Sequence, residues 1–147
     1  MGYEKNKDMV LKYVYDFSKQ GGAVSAITLN ADINGLKEGL IVRGISVAAE
    51  EALTSGGSAT VTFGNTADPD GYLADVFAEL GTAGASVREG EVAGALIWDD
   101  TNDHSLEYSV TSAVNTQDLL MTVGTAALTG GKLVVYLRCY NPGANPA

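Results

Sequence analysis

A chain of 147 residues, 46% of them apolar and 18% charged, is long enough for one domain with its own hydrophobic core, which argues against global disorder. Its net charge of −9 argues against a nucleic-acid groove, which needs clustered Lys and Arg to displace counterions, and against docking on an anionic membrane. With a single cysteine, Cys139, the fold has to hold by packing without an internal disulfide, as suits a reducing compartment or a particle assembled in one.

The N-terminal MGYEKNKD is too polar for a signal peptide, and Asn6 stands where a myristoylation motif wants Ser or Thr. No apolar run approaches the roughly 18 residues that span a bilayer, so the expected product is soluble and made inside the cell. The charge is unevenly spread. Up to Gly22, Lys5, Lys7, Lys12 and Lys19 outnumber Glu4, Asp8 and Asp16, so the acid excess belongs to the rest of the chain.

Residues 9–17 put Met9, Leu11, Tyr13, Tyr15 and Phe17 on one side and Lys12 and Asp16 on the other, the period of a half-buried strand. Gln20, Gly21 and Gly22 end it. Residues 23–29 repeat the pattern weakly before a polar turn at Asn34 and Gly35. Residues 40–47 leave little polar surface and read as a central strand, with Arg43 at its end or paired with a carboxylate, and Glu50 and Glu51 closing the run. Residues 54–58 read as a hairpin loop into a strand over 59–63.

Asp68, Pro69, Asp70 and Gly71 form a turn signal, and Leu73, Val76, Phe77 and Leu80 recur at helical spacing before Gly81. The pattern predicts the chain's one short helix over 72–80. Residues 92–98 read as a strand, 99–105 as a charged loop, and 106–114 as an antiparallel strand with one wet face. Residues 119–126 and 133–140 predict a closing hairpin around Thr129, Gly130 and Gly131. A faint echo relates residues 52–57 to 127–131. About seven to nine short strands with regular turns make an all-β chain, an antiparallel β-sandwich of jelly-roll type. Its parts are an N-terminal arm or edge strand over 1–22, a body over 23–140 and a flexible tail over 141–147.

Catalysis has little to work with. His104, the one histidine, lies in a polar loop, and Cys139 sits in an apolar strand as a small hydrophobe. No nucleophile elbow or phosphate loop occurs, so no enzyme, catalytic residue or cofactor is expected. Asp68 and Asp70, or Asp99, Asp100 and Asp103, read as solvated turn acids without the EF-hand pattern; weak calcium binding is all they suggest, and no metal site is expected. Glu89 and Glu91 lack the aromatic neighbours of a sugar site, and Trp98 reads as core. Tyr3, Lys5, Lys7, Lys12, Tyr13 and Tyr15 are the candidate partner-binding residues, because tyrosine suits surfaces with one buried and one wet end.

The stretch GISVAAEEALTSGGSATVTFG over 44–64, DPDGYL over 68–73, and ALTGGKLVVYL over 127–137 followed by Arg138, Cys139 and Tyr140 resembles small virion proteins of tailed bacteriophages. The similarity covers roughly residues 40–140. It implies a capsid cement (decoration) protein, or the related head-fibre base, with a jelly-roll body. It further implies binding as a dimer or trimer to the major capsid protein on the outside of the shell, after synthesis in the host cytoplasm. The net charge leads to the expectation of no nucleic-acid or membrane partner. A tail or tail-fibre component, or a carbohydrate- or receptor-binding β-sandwich with an exposed Trp98, are the alternatives.

Overall fold

The alternation at the start of the chain becomes β1 (Lys7–Asp16), whose Leu11, Tyr13 and Tyr15 are buried while Val10 and Lys12 face outward. In the computed structural model the described residues are 7–31, 35–110 and 119–142. Among them β1 is followed by α1 (Phe17–Gln20), β2 (Ser25–Leu29), β3 (Ile41–Ser55), β4 (Thr60–Gly64), β5 (Ser86–Arg88), β6 (Trp98–Asp99), β7 (His104–Ser105), β8 (Tyr108–Ser109), β9 (Leu119–Gly124) and β10 (Leu128–Asn141). The fold is all-β.

Two antiparallel sheets share one core. The larger runs β1-β10-β3-β5, with β8 also paired to β3; the smaller runs β2-β9-β4. Between them lie Val47, Leu133, Val135 and Leu137 from the first sheet and Val61, Phe63, Met121 and Val123 from the second. The long central strands do most of the joining. β10 pairs with β1 in unbroken register from Lys132↔Asp16 to Asn141↔Lys7, and with β3 along its other edge. β1 is thus an edge strand of the sheet, and Asn141, expected to start a tail, is instead the fully buried last residue of β10.

Several expectations need correction. The short helix exists, but at Phe17–Gln20 and not over 72–80. There the backbone is spent on β4: Leu73 N–H donates to Phe63 O and Val76 N–H to Val61 O, while Asp75 Oδ1 accepts from Val61 N–H. Leu73, Val76 and Leu80 are buried as a loop laid along the sheet edge, a role with the same apolar spacing as a helix.

Residues 92–98 do not form the expected strand either; Ala93 makes a single bridge to Leu73, and Trp98 and Asp99 pair with Ser105 and His104. Gly94 packs on the Gly71–Tyr72 backbone so closely that a Cβ would overlap it, and Ile97 and Trp98 N–H both turn back to Gly94 O. The segment curls around that contact and cannot extend.

The predicted strand over 106–114 keeps its alternation, with Val110 buried and Glu107 and Ser109 exposed, but its ladder is only the two residues of β8; residues 111–118 lie outside the described ones, as does Asn34 of the expected turn. β3 does not end at Glu50 and Glu51, because Leu53 returns to the core and extends the strand to Ser55.

The two expected hairpins are crossovers. β3 and β10 lie in the larger sheet and their sequence neighbours β4 and β9 in the smaller one. The two echoing segments pair with each other: Leu128↔Ser55 and Gly130↔Thr54 are partners across a register shift, Thr54 and Thr129 share a 2.9 Å hydroxyl hydrogen bond, and Ser55 Oγ donates to Ala127 O at 2.7 Å.

Candidate functional site

Period two carries a second message along the larger sheet. While Leu133, Val135, Leu137 and Cys139 of β10 face the core, Lys132, Val134, Tyr136, Arg138 and Tyr140 lie on the outer face beside Val10, Lys12, Val14 and Asp16 of β1 and Arg43, Ser46 and Glu50 of β3. Val10 and Tyr136, 59% and 38% exposed, are two of the three large hydrophobics most open to solvent among the described residues. Exposed apolar side chains next to cations make a surface suited to protein contact more than to chemistry.

Cations on this face are tied to fixed partners. Between Arg138 and Cys139 the β10–β3 register jumps from Gly44 to Val42, so Arg43 is the extra residue of a β-bulge. Its Nε donates to Glu107 at 2.9 Å, a terminal nitrogen donates to Asp8 at 3.1 Å, and the guanidinium lies 4.5 Å above the Tyr140 ring. The expected carboxylate partner of Arg43 is therefore two carboxylates and an aromatic face. Both ion pairs are exposed, worth about 0.2–1 kcal/mol each, so they fix geometry more than stability.

Arg138 is held more firmly. One terminal nitrogen donates to Glu89 at 2.5 Å and the other to Ser46 Oγ at 3.1 Å. Glu89 is buried and its second oxygen accepts from Ile45 N–H at 3.0 Å. A Cβ on Gly44 would sit on the Arg138 guanidinium, so the guanidinium keeps this place only while residue 44 lacks a side chain. The alternation of residues 132–140 was available as a signal for this face. Nothing local marks Glu89, which reads in sequence as one more surface acid.

At the β1 end of the face, α1 closes a shallow depression of about 520 Å³ with Lys12, Lys19 and Lys132 at its rim. Asp16 caps α1, accepting from Ser18 N–H at 3.0 Å and Ser18 Oγ at 2.7 Å, and these hydrogen bonds hold its carboxyl below the usual range. Lys132 pairs with Glu50 at 3.5 Å.

The candidate partner residues separate by side of the strand. Lys7 and Lys12 are exposed; Tyr13 and Tyr15 are fully buried in the chain's own core, with Tyr15 Oη donating to Gly21 O at 2.6 Å; Tyr3 and Lys5 lie outside the described residues.

The remaining chemistry-bearing groups are dispersed. Burial lifts the Cys139 thiol from its ordinary 9.0 to about 12, so it keeps its proton. His104 is exposed, 3.8 Å from Asp99. Asp99 is used by its own turn, accepting from Thr101 and Asn102 N–H and from the Asn102 amide, which holds its carboxyl low. Asp68 is raised, chiefly by a side-chain hydrogen bond with Asp70. Among the described residues no group of three His, Cys, Asp or Glu is arranged to hold a metal ion. Trp98 is half-buried, its ring edge against Gly90 and its indole N–H buried without an acceptor among the described residues.

No family model and no curated protein matches the sequence. Among solved structures the chain is similar to one in the cyanophage Pam1 capsid asymmetric unit, with a TM-score of 0.64 and 20% identity over 97% of this chain and 91% of that one. The two share a fold. The likeness runs nearly the whole length of both.

Proposed function

We propose that this chain is a non-enzymatic virion protein of a tailed phage, a cement protein that binds the outer surface of the capsid shell and bridges neighbouring capsomers. The observation that carries the reading is the end-to-end fold likeness to a chain of the Pam1 capsid unit. The outer sheet face, with exposed Val10 and Tyr136 among fixed cations, supports it as a surface for protein contact.

The partners in this reading are the major capsid protein and further copies of the chain itself, as dimer or trimer, on the virion exterior. Contact with the shell falls to the N-terminal segment, with Tyr3, Lys5, Lys7 and Lys12 meeting the partner and buried Tyr13 and Tyr15 holding β1 in place. Binding stabilises the shell by mass action, growing with the logarithm of free protein over its dissociation constant. Many equivalent copies let modest single contacts suffice.

The test is co-sedimentation of the full-length chain with phage shells that lack it. Deleting residues 1–22 is the wrong control, because it removes Leu11, Tyr13 and Tyr15 from the core. At about 1.5–3 kcal/mol for each buried side chain, that loss rivals the whole stability of a domain. Lys5→Glu with Lys7→Glu keeps the core and reverses two charges. Saturable binding of the native chain, weakened in this variant, is expected; failure of the native chain to bind any shell overturns the reading.

A further inference from the structure

Of the four outer strands of the two main sheets, three are short or covered. β2 and β5 run five and three residues, and the loop through Leu73 and Val76 covers β4. β1 is the exception, ten residues without a proline or a register shift. Which of its peptide groups face outward follows from β3. Ala49 N–H donates to Ala85 O, Gly84 N–H to Ala49 O, and Ile45 N–H to Glu89, so odd residues there turn away from β10. Ser46 and Ala48 are left to bond Tyr136 and Val134, and by alternation Leu133, Val135 and Leu137 bond Tyr15, Tyr13 and Leu11. The even residues of β1 therefore aim their peptide groups at the open edge. Asp16 N–H, donating to Gln20 Oε1 at 2.7 Å, agrees.

The far half of that edge is closed, by Gln20 at Asp16 and by the Tyr13↔Ala31 bridge. The near half is open: no described residue meets the outward peptide groups of Asp8 and Val10. Val10 is 59% exposed, the most of any large hydrophobic among the described residues. An outward N–H and C=O beside an exposed valine fit a further extended strand. Two copies carrying −9 each repel over most orientations, but the first 22 residues have no acid excess, so their β1 edges meet at least cost. A two-fold axis through a β1 residue opposes even residues to even ones. Through Asp8 it opposes Asp8 to itself, through Met9 it sets Asp8 against Val10, and through Leu11 or Lys12 it runs into the closed half. Through Val10 it sets valine beside valine and Asp8 opposite Lys12, unlike charges across the strands. Asp8 keeps Arg43 and Lys12 its own partner within the chain, so these two are asked only not to repel.

We infer that β1 of one copy pairs antiparallel with β1 of a second copy about a two-fold axis at Val10, joining the two larger sheets into one. Val10 N–H of each copy donates to Val10 O of the other, and both side chains leave solvent. The contact is isologous, so it closes at two copies. It names the self-association surface of the proposed function. It rests on that reading only for its place on the shell, where two N-terminal segments at one axis can bridge two capsomers.

Sedimentation velocity and native mass spectrometry of the full-length chain test it. Val10→Pro deletes an N–H that β10 does not use, which an edge strand tolerates, and is expected to raise the dimer dissociation constant about tenfold. Val10→Arg and Val10→Glu each set like charges at the axis and are expected to raise it about tenfold or more. Mixed together, these two form a heterodimer at least about tenfold tighter than either variant with itself, because residue 10 faces its own counterpart and the charges then attract. Melting curves identify a Val10→Pro chain that fails to fold, and the charge variants, made at an exposed side chain, then decide. A monomeric native chain, a folded Val10→Pro dimer of native strength, or charge variants that do not recover on mixing overturns the pairing. So does a monomer whose shell binding is lost in Val10→Pro, which gives the edge to a strand of the shell. A monomer that saturates shells sinks only this inference; a dimer that ignores shells sinks only the cement reading.

Discussion

Glu89 and Arg138, 49 positions apart in sequence, form a 2.5 Å ion pair whose guanidinium fills the space that a Cβ on Gly44 of β3 would take. The carboxylate is 7% exposed and also holds Ile45 N–H, so it fastens the end of edge strand β5 to both central strands. Such a pair adds little over an apolar substitute, yet removing one member leaves the other uncompensated. Glu89→Ala is expected to cost about 2–4 kcal/mol, discounted for the half-exposed arginine, while Glu89→Gln, which keeps an acceptor for Ile45, costs less. Urea midpoints rank the two; equal losses remove Ile45 N–H from the account.

Gly44→Ala pushes the guanidinium off Glu89 and should therefore destabilise through the same pair. In a double-mutant cycle with Arg138→Ala the two losses should fall short of additive by about 0.5–3 kcal/mol. Additive losses show that the alanine methyl strains β3 itself.

Gly94 meets backbone, which cannot swing aside as Arg138 can. Gly94→Ala is expected to lower the melting temperature more than Gly44→Ala, and Gly56→Ala, where a Cβ meets nothing within 4 Å, to change it little. Thermal melts of the three variants decide the order.

These positions also mark where the sequence was readable. β1 and β10 announced their core faces through plain alternation, and Val10, Lys12, Tyr136 and Arg138 fall outward by the same rule. Residues 72–80 were misread because Leu73, Val76 and Leu80 satisfy helical spacing whether the backbone bonds to itself or to β4, and the deciding acceptors, Val61 O and Phe63 O, lie in another element. Trp98 and its neighbours failed as a strand for a similar reason: the Gly94 contact is with Gly71 and Tyr72, which no local pattern pairs with it. Pairing across sheets is a long-range choice, so neither the turn residues near Gly56 nor Gly130, which lies inside β10, could reveal that the chain changes sheet at 56–59 and at 125–127.

Alkaline pH should unfold the chain before acid chemistry matters to its core. Burial raises Cys139 from 9.0 to about 12, Tyr15 from 10.0 to about 12, and Tyr72 further still. Each group holds its proton more tightly folded than unfolded. From about pH 9 upward the unfolded chain releases protons that the folded chain keeps, so stability is full below pH 9 and falls towards pH 12. Urea midpoints at pH 7, 9 and 10.5 should decline over the last interval, with a shallower decline in Tyr15→Phe. A flat series contradicts the burial of these groups.

Cys139 reports how the sheet opens. The thiol is 1% exposed between Met9 of β1 and Val42 of β3, so a disulfide reagent at pH 8 reaches it only through an opening. Leu11→Ala, on β1, and Leu73→Ala, beside β4, each remove a buried leucine at about 2–5 kcal/mol. An edge strand held along its length by β10 is the element that peels at least cost, and its Met9 pairs directly with Cys139, whereas the Leu73 loop reaches the thiol only through neighbouring Tyr72. Leu11→Ala should therefore accelerate labelling beyond Leu73→Ala at matched global stability. Equal acceleration means that β1 leaves only when the whole fold does, and that the N-terminal strand is as much a part of the core as β3.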